Sequence, residues 1–443
     1  MFFKKIISVL AVLTLLISVF SIGTAAATEM PSSLTDGKVS TKAEIKSELV
    51  INGKDAKYLY IIFWDKPVDF TLSNDGVGQD FKFEGKYLHR LIEIPKELNN
   101  ANEIIIKFSK NATISEIKTF SSKPNKNEAQ NWESNDTVCD LLVFSTHADD
   151  EQLFFAGVLP LYAADGITEV QVVYFTDHLN NIARRHELLN GLWEVGVTRY
   201  PVISNFPDAY SKSYEEAVKN LKNAGFSEND ALAFQVEQIR RFKPLVILGH
   251  DLKGEYGHGQ HILNSTMLTL AVEKAAHATE FSDSFITYGA HHTPKLYLHL
   301  YDKNKVTIDI DTPKEYLDGQ TPFEVSKSGF AKHSSQQGTW FKTWLNGKNG
   351  EIKKASQIKT YSPREFGLYY TLVGEDVNKN DLFENVTRRS LLPQEDPILN
   401  VPAEVEPQEN PTESSGNYGT YIALAACVLA AAICAIVVKK RKK

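Results

Sequence analysis

Beyond residue 137, short apolar runs alternate with segments of helical period, and the alternation repeats. Strands are expected at 138–144, 170–175, 200–204 and 245–248. Helices are expected at 151–164, 184–195, 214–241 (interrupted between Gly225 and Asp230) and 260–276. This rhythm predicts an α/β domain over 137–390: a Rossmann-like, mostly parallel sheet with helices on both faces. Such sheets carry their chemistry at the C-terminal ends of the strands. The first strand-to-helix turn, Ser145-Thr146-His147-Ala148-Asp149-Asp150, has no Gly-x-Gly-x-x-Gly, so no nucleotide cofactor is expected.

The region before it has a different texture. Between residues 45 and 122, apolar runs of strand length are punctuated by Asn52-Gly53, Asn74-Asp75-Gly76 and Asn99-Asn100. None has a long helical period, which predicts a small all-β sandwich. The run Ile114-Ser115-Glu116-Ile117 resembles the last strand of galactose-binding-like jelly rolls. Residues 28–44 and 121–136 read as loose, polar segments. On this division the α/β domain holds its own core, and a chain starting near Asn135 is expected to fold alone.

The ends suggest export and anchorage. Residues 1–27 have the form of a signal peptide: Lys4 and Lys5, an apolar stretch, then Ala25-Ala26-Ala27. Residues 396–417 read as a Pro- and Glu-rich stalk, and 418–438 as an uncharged stretch long enough to span a bilayer. The basic tail 439–443 would stay in the cytoplasm. The expected location is a bacterial cell membrane, single-pass type I, with an extracellular ectodomain. Cys427 and Cys434 fall in the expected span, so Cys139 stands alone in the ectodomain and reads as a small buried apolar residue. Setting aside Lys4, Lys5 and the five basic residues of the tail, 41 Lys and Arg face 55 Asp and Glu, a net charge of −14. A surface that acidic excludes nucleic acid as the expected partner.

Two clusters follow strands directly. His147-Ala148-Asp149-Asp150-Glu151 follows the first, and Gly254-Glu255-Tyr256-Gly257-His258-Gly259-Gln260-His261 the fourth. His147 and Asp150 are three apart and can face one metal, with Asp149 holding a water; His258 and His261 are again three apart. Two His and a carboxylate with an open position suit a catalytic divalent ion. His178, His250, His291, His292 and His299 read as structural or exposed groups, and His333 reads equally as packing or site closure. Trp340, Trp344 and Tyr369 read as core aromatics.

With these motifs the sequence resembles the PIG-L / LmbE-like de-N-acetylases, whose first motif is His-Pro-Asp-Asp-Glu and whose last is Gly-x-Tyr-Gly-His-Pro-Asp-His. Arg184-Arg185-His186-Glu187, Val195-Gly196-Val197, Pro207-Asp208 and His333-Ser334-Ser335-Gln336 match elements between and after them. The resemblance implies His147, Asp150 and His261 as metal ligands, Asp149 as general base, and Tyr256 and His258 as stabilisers of the tetrahedral intermediate. It places Arg184 and Asp208 at substrate-binding positions. The implied cofactor is Zn2+, with Fe2+ also compatible. The implied activity is hydrolysis of the N-acetyl group of an N-acetylated sugar of GlcNAc type. An inactive surface glycan-binding or adhesion protein and a metal-dependent amidase on a non-sugar substrate are the alternatives. Ala148 and Gly259 replace prolines, which is expected to loosen both loops. Gln260 replaces an Asp, which leaves open how His258 is held.

Overall fold

The computed structural model describes residues 30–392 apart from residue 75. The expected signal peptide, stalk, span and basic tail lie outside the described residues. Among the described residues no helix is long and apolar enough to cross a membrane.

Two four-stranded antiparallel sheets come first. One orders β1 (Ala43–Ile45), β8 (Ala112–Phe120), β3 (Tyr58–Phe63) and β6 (His89–Glu93). The other orders β2 (Glu48–Asn52), β7 (Glu103–Phe108), β4 (Phe70–Ser73) and β5 (Phe81–Phe83). Their inner faces follow the period of two: Ile104, Ile106 and Phe108 point inward from β7, while Glu103 and Lys107 are exposed. The segment before residue 45 is not loose. Leu34 is fully buried in the sandwich core, and β1 pairs with β8. Its apolar residues are too few and too scattered to show a period.

The second sheet has seven strands in the order β11 (Val202–Ile203), β10 (Val170–Tyr174), β9 (Leu141–Ser145), β12 (Val246–Gly249), β13 (Lys295–His299), β15 (Glu365–Thr371) and β14 (Lys305–Thr307). The first five are mutually parallel; β15 runs antiparallel to β13, and β14 antiparallel to β15. All residues of β9, β10, β12 and β13 are buried, as strands covered on both faces must be. Cys139, just before β9, is buried, and burial pushes its thiol up to about 12. The helix expected at 151–164 is broken into Asp150–Leu153 and Val158–Ala163. Gly157 makes the break at φ 83°, where a side chain would meet Ile310 at 2.8 Å. Strand order reverses at β9, with β10 on one side and β12 on the other, so the loops after β9 and β12 meet over one crevice.

The segment 121–136 is a packed strap rather than a loose linker. Trp132 is buried against Trp193 and Tyr200, and Glu133 exchanges backbone hydrogen bonds with Thr198 (2.8 Å) and Tyr200 (3.1 Å). The sandwich itself docks on the helix Ala183–Glu194. Arg185 Nη1 donates to Asp65 O at 3.1 Å, and Tyr87 lies 4.5 Å from Tyr200 between ring centroids. A buried chain crosses this junction: Tyr60 Oη to His89 Nδ1 at 3.2 Å, His89 Nε2 to His186 Nδ1 at 2.8 Å, and His186 Nε2 to Trp64 O at 2.8 Å. A carbonyl only accepts, so His186 Nε2 carries hydrogen and its Nδ1 accepts from His89 Nε2–H. His89 Nδ1 then accepts from Tyr60. Every position is satisfied with both rings neutral. Burial pushes His186 down to about 4, and burial together with His186 holds His89 well below its ordinary value.

Candidate metal centre and active site

The loop after β9 and the start of the helix Gly259–Ala275 bring three donors into a triangle. His147 Nδ1, Asp150 Oδ2 and His261 Nε2 are each 3.1 Å from the other two. A tetrahedral zinc with bonds of about 2.0–2.2 Å sets its ligand atoms about 3.4 Å apart, so the triangle is close to one face of such a site. Each donor is held from behind. Gln260 Oε1 accepts from His147 Nε2–H at 3.0 Å, which leaves the Nδ1 lone pair free. Glu255 Oε2 accepts from His261 Nδ1–H at 2.6 Å, which directs Nε2 into the triangle. Asp150 Oδ2 takes the His147 backbone N–H at 2.8 Å. Hydrogen-bonded imidazoles and carboxylates of this kind are what a divalent ion requires.

Two wider sets, His147 with His258 and His261, and Asp150 with His250 and His261, keep their donors within 4.8 Å. Their fourth residues are not equivalent ligands. His250 Nε2 is engaged by the Thr146 N–H at 3.1 Å, and its Nδ1–H donates to Glu255 at 2.9 Å. His258 caps the helix Gly259–Ala275: its Nδ1 accepts the Gln260 N–H at 3.2 Å, so the neutral ring carries hydrogen on Nε2. Burial, with His147 and His261 close by, holds His258 far below its ordinary value, in the neutral form. Against the downward pull of burial, Asp150 and Glu255 raise His261 to about 10. A protonated His261 faces the Asp150 carboxylate, and a metal ion bound at this position would have to displace that proton.

Asp149 sits beside the triangle at φ 119°, a left-handed conformation that a non-glycine residue rarely adopts. Its N–H is tied to Glu151 Oε2 at 3.0 Å, and its Oδ1 accepts from Arg184 Nη2 at 3.2 Å. Its Oδ2 makes no hydrogen bond among the described residues. Burial raises its carboxyl above the ordinary range, with Arg184 opposing and Asp150 adding to the shift. Arg184 also donates to Ala148 O (2.6 Å) and to Asp208 Oδ2 (3.2 Å). Asp208 accepts from His178 Nδ1–H at 2.8 Å. Against the upward pull of burial, that bond and the nearby His147 and Arg184 hold Asp208 below the ordinary carboxylate range. Tyr256, at φ 49°, stands over the site, edge-on to His258 at 5.5 Å and to His261 at 5.7 Å. Tyr210 (63% exposed) and Trp340 (47%) flank the opening, the first edge-on to His258 and the second to Tyr256.

All eight residues named from the sequence thus meet in one crevice. The two loops expected to be slack are clamped. Ala148 N–H donates to His178 Nε2 at 3.0 Å, a bond that a proline could not make. Gly259 N–H donates to Ser211 O at 2.8 Å, and a Cβ there would meet Ser213 O at 2.1 Å. The Gln260 side chain serves His147, and only its backbone N–H reaches His258. In the sequence Glu255 has no role beyond membership of its cluster, and His178, His250 and His299 read there as structural or exposed although they could line the cleft, His250 most of all. For His178, His250 and His299 a signal existed: each lies at or just beyond the C-terminal end of a parallel strand. Trp340 and Trp344 were read as core; Trp340 instead stands half-exposed at the opening. Tyr369 lies on β15 and pairs with Tyr301, away from the triangle.

Residues 142–272 match the sequence profile of the PIG-L family, described as GlcNAc-PI de-N-acetylase. Over this stretch the chain is similar to that family. It is 29% identical over 161 residues to the 1D-myo-inositol 2-acetamido-2-deoxy-alpha-D-glucopyranoside deacetylase of Rhodococcus jostii, covering 31% of this chain and 54% of that protein. The protein of the same description from Rhodococcus opacus is 28% identical over 171 residues, covering 33% of this chain and 58% of its own. The chain thus spans little more than half the length of these curated relatives. Among solved structures, N,N'-diacetylchitobiose deacetylase from Pyrococcus horikoshii aligns at 16% identity over 52% of this chain and 83% of its own, with a TM-score of 0.37. The PIG-L region contains both motif loops and all eight site residues.

Proposed function

We propose that the chain is a divalent-metal-dependent de-N-acetylase that hydrolyses the acetamide of an N-acetylglucosamine-type sugar. The observation that carries this reading is the 3.1 Å triangle of His147, Asp150 and His261, with Asp149 beside it and its Oδ2 free of hydrogen bonds among the described residues. The donor set fits zinc best and iron(II) also. A bound ion supplies Lewis acidity, which polarises an amide carbonyl and acidifies water.

The chain's own groups account for the rest. Asp149, kept as an acceptor by Arg184, takes the proton of the attacking water. The Nε2–H of neutral His258 and the hydroxyl of Tyr256 donate to the oxyanion as the carbonyl carbon becomes tetrahedral. Asp149 then returns its proton to the sugar nitrogen as the C–N bond breaks, giving acetate and a free amine. A neutral His258 serves as a donor to the oxyanion, which makes Asp149 the proton carrier for both halves. Arg184 and Asp208 pair with each other at the crevice and present hydrogen-bonding groups to sugar hydroxyls. The relatives' names, which specify acetamido-sugar deacetylases, support the substrate class.

Cell-surface placement belongs to the same proposal and rests on residues 1–27 and 418–443. Fractionation of the producing cells tests it. For the activity, acetate release from a panel of N-acetyl sugars, measured alongside metal content, is the test. No acetate from any sugar by a metal-loaded protein would overturn the reading.

A further inference from the structure

We propose that Glu255 is the positioning residue of this centre, one buried carboxylate that holds both motif loops in register and gives the His261 arm a stronger donor than the His147 arm. The inference rests on the metal reading above.

Glu255 is fully buried and has four partners. Its Oε2 accepts from His261 Nδ1 (2.6 Å) and His250 Nδ1 (2.9 Å), and its Oε1 meets His299 Nδ1 (2.7 Å) and the Asp251 N–H (3.2 Å). Through His250 the carboxylate reaches the other loop, because His250 Nε2 accepts the N–H of Thr146, the residue before His147. Through His299, whose Nε2 donates to Ser362 O at 3.0 Å, it is fixed to β13. Losing the carboxylate would therefore release the ring of His261 and slacken the support under His147 and Asp150.

The two histidine arms also differ in kind. Behind His147 stands a neutral amide, Gln260, itself fixed by Ala209 N–H (3.1 Å) and Pro207 O (2.8 Å). Behind His261 stands a carboxylate. An imidazole whose distal N–H donates to a carboxylate is the more basic ligand, and such outer partners are worth roughly 10–100-fold in metal affinity. Gly254 at φ 66° and Tyr256 at φ 49° bracket Glu255, so the backbone turns sharply on both sides to aim this side chain inward while Tyr256 faces the opening.

The test is zinc affinity of the full chain by competition with a chromophoric chelator, with the visible spectrum of the cobalt(II)-loaded protein as a second readout. Glu255→Gln is expected to weaken zinc roughly 10–100-fold and shift the cobalt bands, since an amide oxygen cannot replace the charged acceptor. His250→Asn keeps an N–H donor for Glu255 but removes the ring and its link to Thr146; it is expected to weaken zinc several-fold, and it stands as the test should Glu255→Gln fail to fold by near-UV circular dichroism. Affinity within twofold of wild type and an unshifted cobalt spectrum in a folded variant would overturn this inference and leave the metal reading standing. A wild-type chain that binds no divalent ion would overturn both.

Discussion

Acidification should loosen the junction between the sandwich and the α/β domain, and His186 sets the scale. In the unfolded chain its imidazole takes a proton below about 6.5; in the folded protein it stays neutral down to about 4. Between those values the unfolded state binds more protons, so the stability present above pH 6.5 is lost as pH falls toward 4. The full depression corresponds to about 3 kcal/mol, and about 2 kcal/mol of it is gone by pH 5. The physical cause is the one-way chain Tyr60–His89–His186–Trp64: a further proton on either ring sets N–H against N–H or N–H against O–H. Denaturant unfolding of the full chain at several pH values between 7.5 and 5, followed by tryptophan fluorescence, measures it. Trp64 is a local reporter, since its ring stacks on His186 at 5.3 Å. His186→Asn keeps one donor and one acceptor without a titrating ring. It should be less stable at pH 7.5 but lose about 2 kcal/mol less than wild type on going to pH 5. Depressed histidines away from this junction, such as His291, contribute to both proteins and cancel in the difference. Equal losses in the two proteins would refute the reasoning.

Asp149→Asn should keep its metal, measured by elemental analysis, yet lose about 10²–10⁴ in turnover, whereas Asp150→Asn should lose the metal as well. Zinc binding should release protons and tighten as pH rises toward about 10, where His261 gives up its proton; identical heats in buffers of different ionisation enthalpy would contradict this. Gly259→Ala should cost about 1–3 kcal/mol in thermal unfolding and weaken metal binding, because its Cβ would drive into Ser213 O. Removing residues 30–121 should leave the remainder aggregation-prone, since His186 and Tyr200 lose the Trp64 and Tyr87 rings that cover them; a soluble product with unchanged melting would support the view that the α/β domain stands alone.

The crevice was legible in the sequence because its donors are spaced three apart immediately after apolar strands, a local signal. Spacing alone drew attention to His147, Asp150, His258 and His261; the choice of His261 over His258 came from the family resemblance. What supports them was not legible, because it depends on which side chains meet from separate elements. Glu255 carries no role in the sequence beyond its place in the second cluster until His299, 44 residues later, is seen beside it. Ala148 and Gly259 read as slack for want of a proline, when an amide hydrogen and the close approach of another chain segment were the relevant facts. In the sandwich, β4 has four residues and β1 three, too short for period two to register. Trp132 was hidden among polar neighbours, and a single buried tryptophan was enough to turn an expected linker into a strap.

β9 and β12 are adjacent parallel strands, with Leu141 opposite Val246 and Val143 opposite Leu248. The spacing of neighbouring strands, about 4.8 Å, is therefore the ruler that separates the two motif loops. It is cut into the backbone ladder, and no side chain can lengthen it. The segments carrying Tyr210 and Trp340 hang from other parts of the fold and are free of that ruler. Changes at the rim can therefore alter what enters the crevice while the spacing of the reactive groups stays fixed.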